Sequence, residues 1–253
     1  MTDGSEEVSG ARDGLLRQHR DTLFRGAFKI PKNFLQLLDK CSGGKFEFSE
    51  SDIVPFDLES DAVVRLRRND VSFITSDNRL LILIEHQSIM SRNIAFRLLL
   101  YYFELVQLWI KRHEINIYGN SPMPSLPAPE FYVAYHGPRA LTEWLSAFRM
   151  EHERVKLGVE VEIVDIHFEM LEDQASDNAL AGYAYFYKVF DEGVAGGLSR
   201  SDAFTRARDE CMRLGYLEGF IEREDFEMSY KDILDYDTQL REEGREEGAK
   251  RAR

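Results

Sequence analysis

Cysteine is scarce: Cys41 and Cys211 are the whole complement of 253 residues, and they lie far apart. A disulfide framework and a thiolate metal site are both excluded as organising features. Long hydrophobic runs are missing as well. The longest, LLLYYFELVQLWI (98–110), falls short of the roughly 20 apolar residues that cross a bilayer and carries Glu104 and Gln107. The opening stretch MTDGSEEVSG has neither the basic nor the apolar region of a secretory leader. A cytoplasmic protein with no membrane partner is therefore expected. No glycine-rich phosphate loop, zinc-ligand spacing or dinucleotide fingerprint occurs. An excess of positive charge is lacking too, the net charge being −13, which weighs against a phosphate backbone as partner. The distribution softens that objection: residues 11–115 hold 16 basic and 14 acidic side chains, whereas residues 116–253 hold 16 and 28. A nucleic-acid-binding face is thus permitted in the first half of the chain.

Hydrophobic periodicity supplies the organisation. Residues 1–11 are short and polar and are expected to be disordered. Leu16, Leu23, Phe24, Phe28, Phe34, Leu35 and Leu38 recur at roughly helical spacing, and Pro31 divides them into two helices. GKFEFSESDIVPFDLES (44–60) reads as a connection with one short strand. RNDVSFIT (68–75) alternates, RLLILIEHQ (79–87) is continuously apolar before its polar end, and SDN (76–78) between them signals a hairpin turn. Ile94, Leu98, Tyr101, Leu105 and Leu108 then predict a long helix capped by Ser91 and packed on the sheet. SPMPSLPAPE (121–130) is expected to be a loop and FYVAYHG (131–137) a buried strand ending at a glycine turn. VEVEIVDIHFEM (159–170) reads as a further strand with a bulge or break between Ile163 and Val164. Helical patterns follow in DNALAGYAYFYKVF and SDAFTRARDECMRLGYLEGF, and REEGREEGAKRAR is a charged tail, either a marginal helix or disordered. The order of elements predicts an α/β protein with a mixed central β-sheet flanked by helices. The expected limits are a disordered segment 1–11, a domain over 12–225 and a tail over 226–253.

The abrupt end of LILIEHQS (81–88) poses the functional question. Strand side chains alternate faces, so Glu85 and Gln87 project together and His86 projects oppositely. Asp70 lies on the partner strand of the predicted hairpin, about as far from the turn as Glu85. Two acids that close repel unless a cation neutralises them, and hard oxygen ligands suit Mg²⁺. Such an ion lowers the pKa of a coordinated water and stabilises charge on a scissile phosphate. Gln87 is placed to orient that water or bond a phosphate oxygen, although an amide cannot act as general base.

Asp70, then IEHQS (84–88), then RLLLYY (97–102) resembles the recombination-promoting nuclease, or transposase-like, family of the PD-(D/E)XK nuclease superfamily. HRDTLFRGAF (19–28) is similar to that family's N-terminal pattern and YVAYHG (132–137) to its later strand and turn. The resemblance covers roughly residues 15–140. It implies a restriction-endonuclease-like core and endonucleolytic, metal-dependent hydrolysis of DNA phosphodiesters, associated with recombination. Carried over position by position, the first acid falls on Asp70, the second on Glu85 and the usual lysine on Gln87. Asp70 and Glu85 are then the ligands of Mg²⁺, or of another divalent cation such as Mn²⁺, and Asp70, Glu85 and Gln87 form the catalytic set. Asn69 replaces the motif's proline, Gln87 removes the cation that would balance a nucleophile, Arg25 stands where lysine is frequent, and Arg20 separates His19 from Asp21. By analogy, DNA and a second copy of the chain are the expected partners.

Around this set, Asp21 is a candidate accessory ligand or a surface charge. Arg92 and Arg97 are candidates for phosphate binding, and Arg97, standing amid apolar residues, is equally suited to pair with a buried carboxylate. His86 reads as a packed core histidine, and Tyr101, Tyr102, Phe103 and Trp109, like Tyr183 and Tyr187, as core. The rival reading of the whole chain is a nuclease-fold protein without catalysis, serving interaction or regulation, which the acidic second half would suit.

Overall fold

A computed structural model describes residues 22–57, 70–137, 140–141, 144–152, 155–171, 177–223, 226–228, 230–231 and 233–234. The expected disordered segment 1–11, Asp21 and the tail beyond 234 lie outside the described residues. The chain divides into two compact units, one of Phe28–Ile166 and one of Met1–Ala27 with His167–Arg253.

The first unit is α/β, built on a six-stranded mixed sheet. Its strands are β1 (Ile53–Pro55), β2 (Val71–Thr75), β3 (Leu80–Gln87), β4 (Ala128–Tyr135), β5 (Leu145–His152) and β6 (Val155–Asp165), in the spatial order β1-β2-β3-β4-β6-β5. β3, β4 and β6 run parallel, and the remaining neighbours are antiparallel. The helical residues 22–28 (α1) belong, up to Ala27, to the other unit; in this one α2 (Pro31–Ser42) comes first, and α3 (Ile94–Arg112) connects β3 to β4. Pro31 opens α2, where its missing N–H costs nothing, and Gly43 closes it in the left-handed conformation (φ 62°).

The hairpin predicted at 68–87 is present. β2 pairs β3 with Val71 opposite Ile84 and Ile74 opposite Leu81, and the turn places Asn78 at φ 58°. From that position the Asn78 amide oxygen accepts a hydrogen bond from Trp109 Nε1 at 3.0 Å, tying the last turns of α3 to the hairpin tip. Burial along α3 follows the expected stripe: Ile94, Leu98, Tyr101, Leu105 and Leu108 face Ile74, Leu81, Leu83, Phe131, Val133, Val161 and Ile163 of the sheet. The other face of the sheet belongs to α2, where Phe34 stacks on Phe73 at 4.0 Å.

Several expectations need correction. Phe103, read as core, is 44% exposed, and the strand read over 159–170 ends at Asp165, with Phe168–Met170 in a 3₁₀ turn. The cap of α3 is Asn93, not Ser91; the Ser91 carbonyl instead accepts the Ile94 N–H in the turn before the helix. β6 is continuous to Asp165 with no bulge, pairing residue for residue with β4. The slip in its apolar pattern arises because Asp165 takes the inward position after Val161 and Ile163 where an aliphatic residue would be expected. β4 begins at Ala128, inside the proline-rich segment read as loop. β5 had no sequence signal: it is an edge strand whose residues from Leu145 to Glu151 are exposed or half-buried, so no alternation marks it.

In the other unit, α4 (Ala179–Ala195) and α5 (Arg200–Leu214) lie where the helical patterns place them. Asn178 caps α4 by accepting the N–H groups of Leu180 and Ala181, and Gly215 ends α5 at φ 74°. Gly182 lets Leu217 pack directly on α4, and Tyr183 meets Phe24 edge to face at 5.5 Å. The described residues between 226 and 234 are helical. No helix among the described residues is long and apolar enough to cross a membrane.

Candidate active site

One end of the sheet collects polar side chains. β3, β4 and β6 end there in parallel, and in open α/β sheets the carboxyl ends of parallel strands are where ligands bind. Extending the β2–β3 register by one step past Val71 and Ile84 sets Asp70 opposite Glu85. The hydrogen bonds agree. The Asp70 N–H donates to Glu85 Oε1 at 3.2 Å, and the His86 N–H donates to Asp70 Oδ2 at 2.7 Å. The two acids that the sequence singles out are therefore cross-strand neighbours. Glu85 is buried (2% exposed) and Asp70 half-buried.

α3 delivers a counter-charge to the same place. Arg97 Nη2 sits 3.1 Å from Glu85 Oε2, with the Glu85 side chain 3% and the Arg97 side chain 39% exposed. Tyr101, one turn further along α3, takes a second Arg97 contact at 3.4 Å through its hydroxyl. Burial alone would lower the Arg97 pKa, but Glu85, the Tyr101 hydroxyl and Asp70 outweigh it and raise it. Burial and then the Glu85 charge push the Tyr101 phenol up. Of the two roles open to Arg97, the structure realises the pairing with a buried carboxylate.

Gln87 is half-buried at the end of β3, and its Nε2 donates to the carbonyl of His86 at 2.8 Å. In strand alternation it shares the α3 side with Glu85 and lies beside Tyr135, which in turn lies beside Asp165. His86 faces the α2 side and is 2% exposed, in keeping with a core histidine. Arg92 is exposed in the turn before α3. Asp21 falls outside the described residues.

Sequence reasoning did not assign Tyr101, Tyr135 or Asp165 to the site. Tyr101 carried a signal, since it stands four residues after Arg97. Asp165 carried one as well, as the acid that breaks the apolar phase of β6.

Among the described residues no group of three or more His, Cys, Asp or Glu side chains gathers as a metal cage. Two adjacent carboxylates remain, which matches the demand of Mg²⁺: it keeps several of its waters and is held by one or two carboxylates together with substrate phosphate oxygens. No protein-family model, curated protein or solved structure gives a match to this chain.

Proposed function

We propose that the chain is a metal-dependent DNA endonuclease of the recombination-promoting, transposase-like kind, with a restriction-endonuclease-like core in residues 28–166. The observation that carries this reading is the pairing of Asp70 and Glu85 across the β2–β3 hairpin. The order of α2, three antiparallel strands, α3 and a parallel β4 supports it. Asp70 and Glu85 would hold Mg²⁺ or Mn²⁺. When bound, the ion supplies an acidified water and charge stabilisation at the scissile phosphate. Glu85, buried on a central strand, fixes the position of that charge. Gln87 orients water or a phosphate oxygen through its amide, and Tyr101 shields the inner side of the site from solvent. A reducing cytoplasm would suit the two free thiols, and two copies of the chain would allow both strands of a duplex to be cut.

The test is plasmid relaxation by the purified full chain with Mg²⁺ or Mn²⁺. Wild type is expected to nick the plasmid, and Asp70→Asn to lose at least about a hundredfold in rate. A folded wild type that leaves DNA intact with both ions overturns the reading. One observation favours the rival, a nuclease-fold module without catalysis: Arg97 already neutralises Glu85. On that reading metal binding is absent as well as cleavage.

A further inference from the structure

We propose that Arg97 is the resident counter-ion of Glu85, and that a divalent cation binds only by displacing its guanidinium, which is thereby released to hold a phosphodiester. This inference rests on the metal reading of Asp70 and Glu85.

Both oxygens of the Glu85 carboxylate are engaged, Oε1 by the Asp70 N–H at 3.2 Å and Oε2 by Arg97 at 3.1 Å. A cation approaching Oε2 meets a like charge at hydrogen-bond distance, and in a half-buried setting that repulsion is screened weakly. One of the two side chains has to yield. Glu85 cannot, because it is buried on β3, hydrogen-bonded between β2 and β4. Arg97 can: its side chain is 39% exposed on a long flexible stem at the first turns of α3. Its remaining contacts are weak, a 3.4 Å approach to the Tyr101 hydroxyl and a guanidinium 6.0 Å from the Tyr101 ring centre.

A guanidinium freed beside a metal-bearing carboxylate is suited to a phosphate group, which it binds through two parallel N–H donors. Metal and phosphodiester then favour each other's binding, because each removes an obstacle to the other. Metal alone binds weakly, so the site stays unloaded until a phosphate is at hand.

Calorimetric titration of Mn²⁺ into the full chain tests this, comparing wild type, Arg97→Met and Glu85→Gln. Arg97→Met is expected to bind Mn²⁺ at least about fivefold tighter than wild type, and Glu85→Gln to lose binding. Equal or weaker binding by Arg97→Met, with Glu85→Gln still losing the ion, overturns the role of Arg97 and leaves the metal reading standing. Absence of binding in wild type and Arg97→Met alike overturns both. Should Arg97→Met not fold, the wild-type Arg97 Nη–H resonances decide, since Nη2 makes the contact to Glu85. Their hydrogen exchange is expected to quicken at least about fivefold on saturation with Mg²⁺, and an unchanged rate overturns the displacement.

Discussion

Asp70 and Glu85 are each held by the other's strand. Glu85 accepts the Asp70 N–H at 3.2 Å, and Asp70 accepts the N–H of His86, the residue after Glu85, at 2.7 Å. Both acids are therefore structural acceptors as well as candidate ligands, and a substitution at either one tests two things at once.

The two roles separate at Asp70. Asn retains an oxygen acceptor for the His86 N–H but not the charge, whereas Ala removes both. Asp70→Asn is expected to keep urea stability within about 0.5 kcal/mol of wild type, and Asp70→Ala to lose about 1–2 kcal/mol. Both are expected to lose plasmid cleavage. Equal stability of the two variants would show that the hydrogen bond contributes nothing.

Gly137 is required by space alone. A Cβ there would overlap the Tyr135 hydroxyl and the carbonyl oxygen of Ser88, directly after Gln87. Gly137→Ala is expected to cost about 1–3 kcal/mol in urea unfolding. It should also lower Mn²⁺ affinity, because the strain falls on the end of β3. A variant of wild-type stability and affinity would mean that this corner of the sheet yields freely.

Cys41 and Cys211 are sealed in different units, at 1% and 0% exposure. Burial pushes both thiols up, Cys211 to about 12. In native buffer near neutral pH, each is expected to react with a thiol reagent at least ~10³-fold slower than in denaturant. Single-thiol variants, Cys41→Ala and Cys211→Ala, then time the opening of each unit separately. Labelling at the denatured rate would contradict the packing of α2 or α5.

Acid should loosen the hairpin tip. The Thr75 hydroxyl and the Arg79 N–H hold the Asp77 carboxyl below its ordinary value, and the Ser49 hydroxyl and N–H do the same for Asp52. A folded value below the unfolded one means stability that is present above the unfolded pKa and lost as pH falls through the folded one. Melting temperature is expected to fall from about pH 4 downward, and Asp77→Asn to flatten part of that limb. An unchanged limb in Asp77→Asn would assign the acid sensitivity to other carboxylates.

The hairpin and its acid pair were legible because two local signals agree: an apolar run with a turn signal fixes the register, and register alone sets Asp70 opposite Glu85. The choice between phosphate and carboxylate for Arg97 was not legible, since it depends on how α3 is rotated over the sheet. Trp109 and Asn78, whose hydrogen bond ties α3 to the hairpin tip, look unrelated in sequence. β5 escaped notice because a solvated edge strand obeys no burial period. Tyr101 reads correctly as core, yet its hydroxyl reaches Arg97, and helical spacing alone does not distinguish a buried ring with a polar tip from one without.

The parallel β3–β4 pairing has a consequence for assembly. Those strands are neighbours joined through α3, so their contact closes a long loop, whereas the β2–β3 hairpin is local. Two negative charges are thus brought face to face by a purely local pairing. The chain answers from its very next helix: Arg97, 12 residues beyond Glu85, pairs with that carboxylate. Mutual repulsion between the carboxylates is relieved within one contiguous stretch of polypeptide.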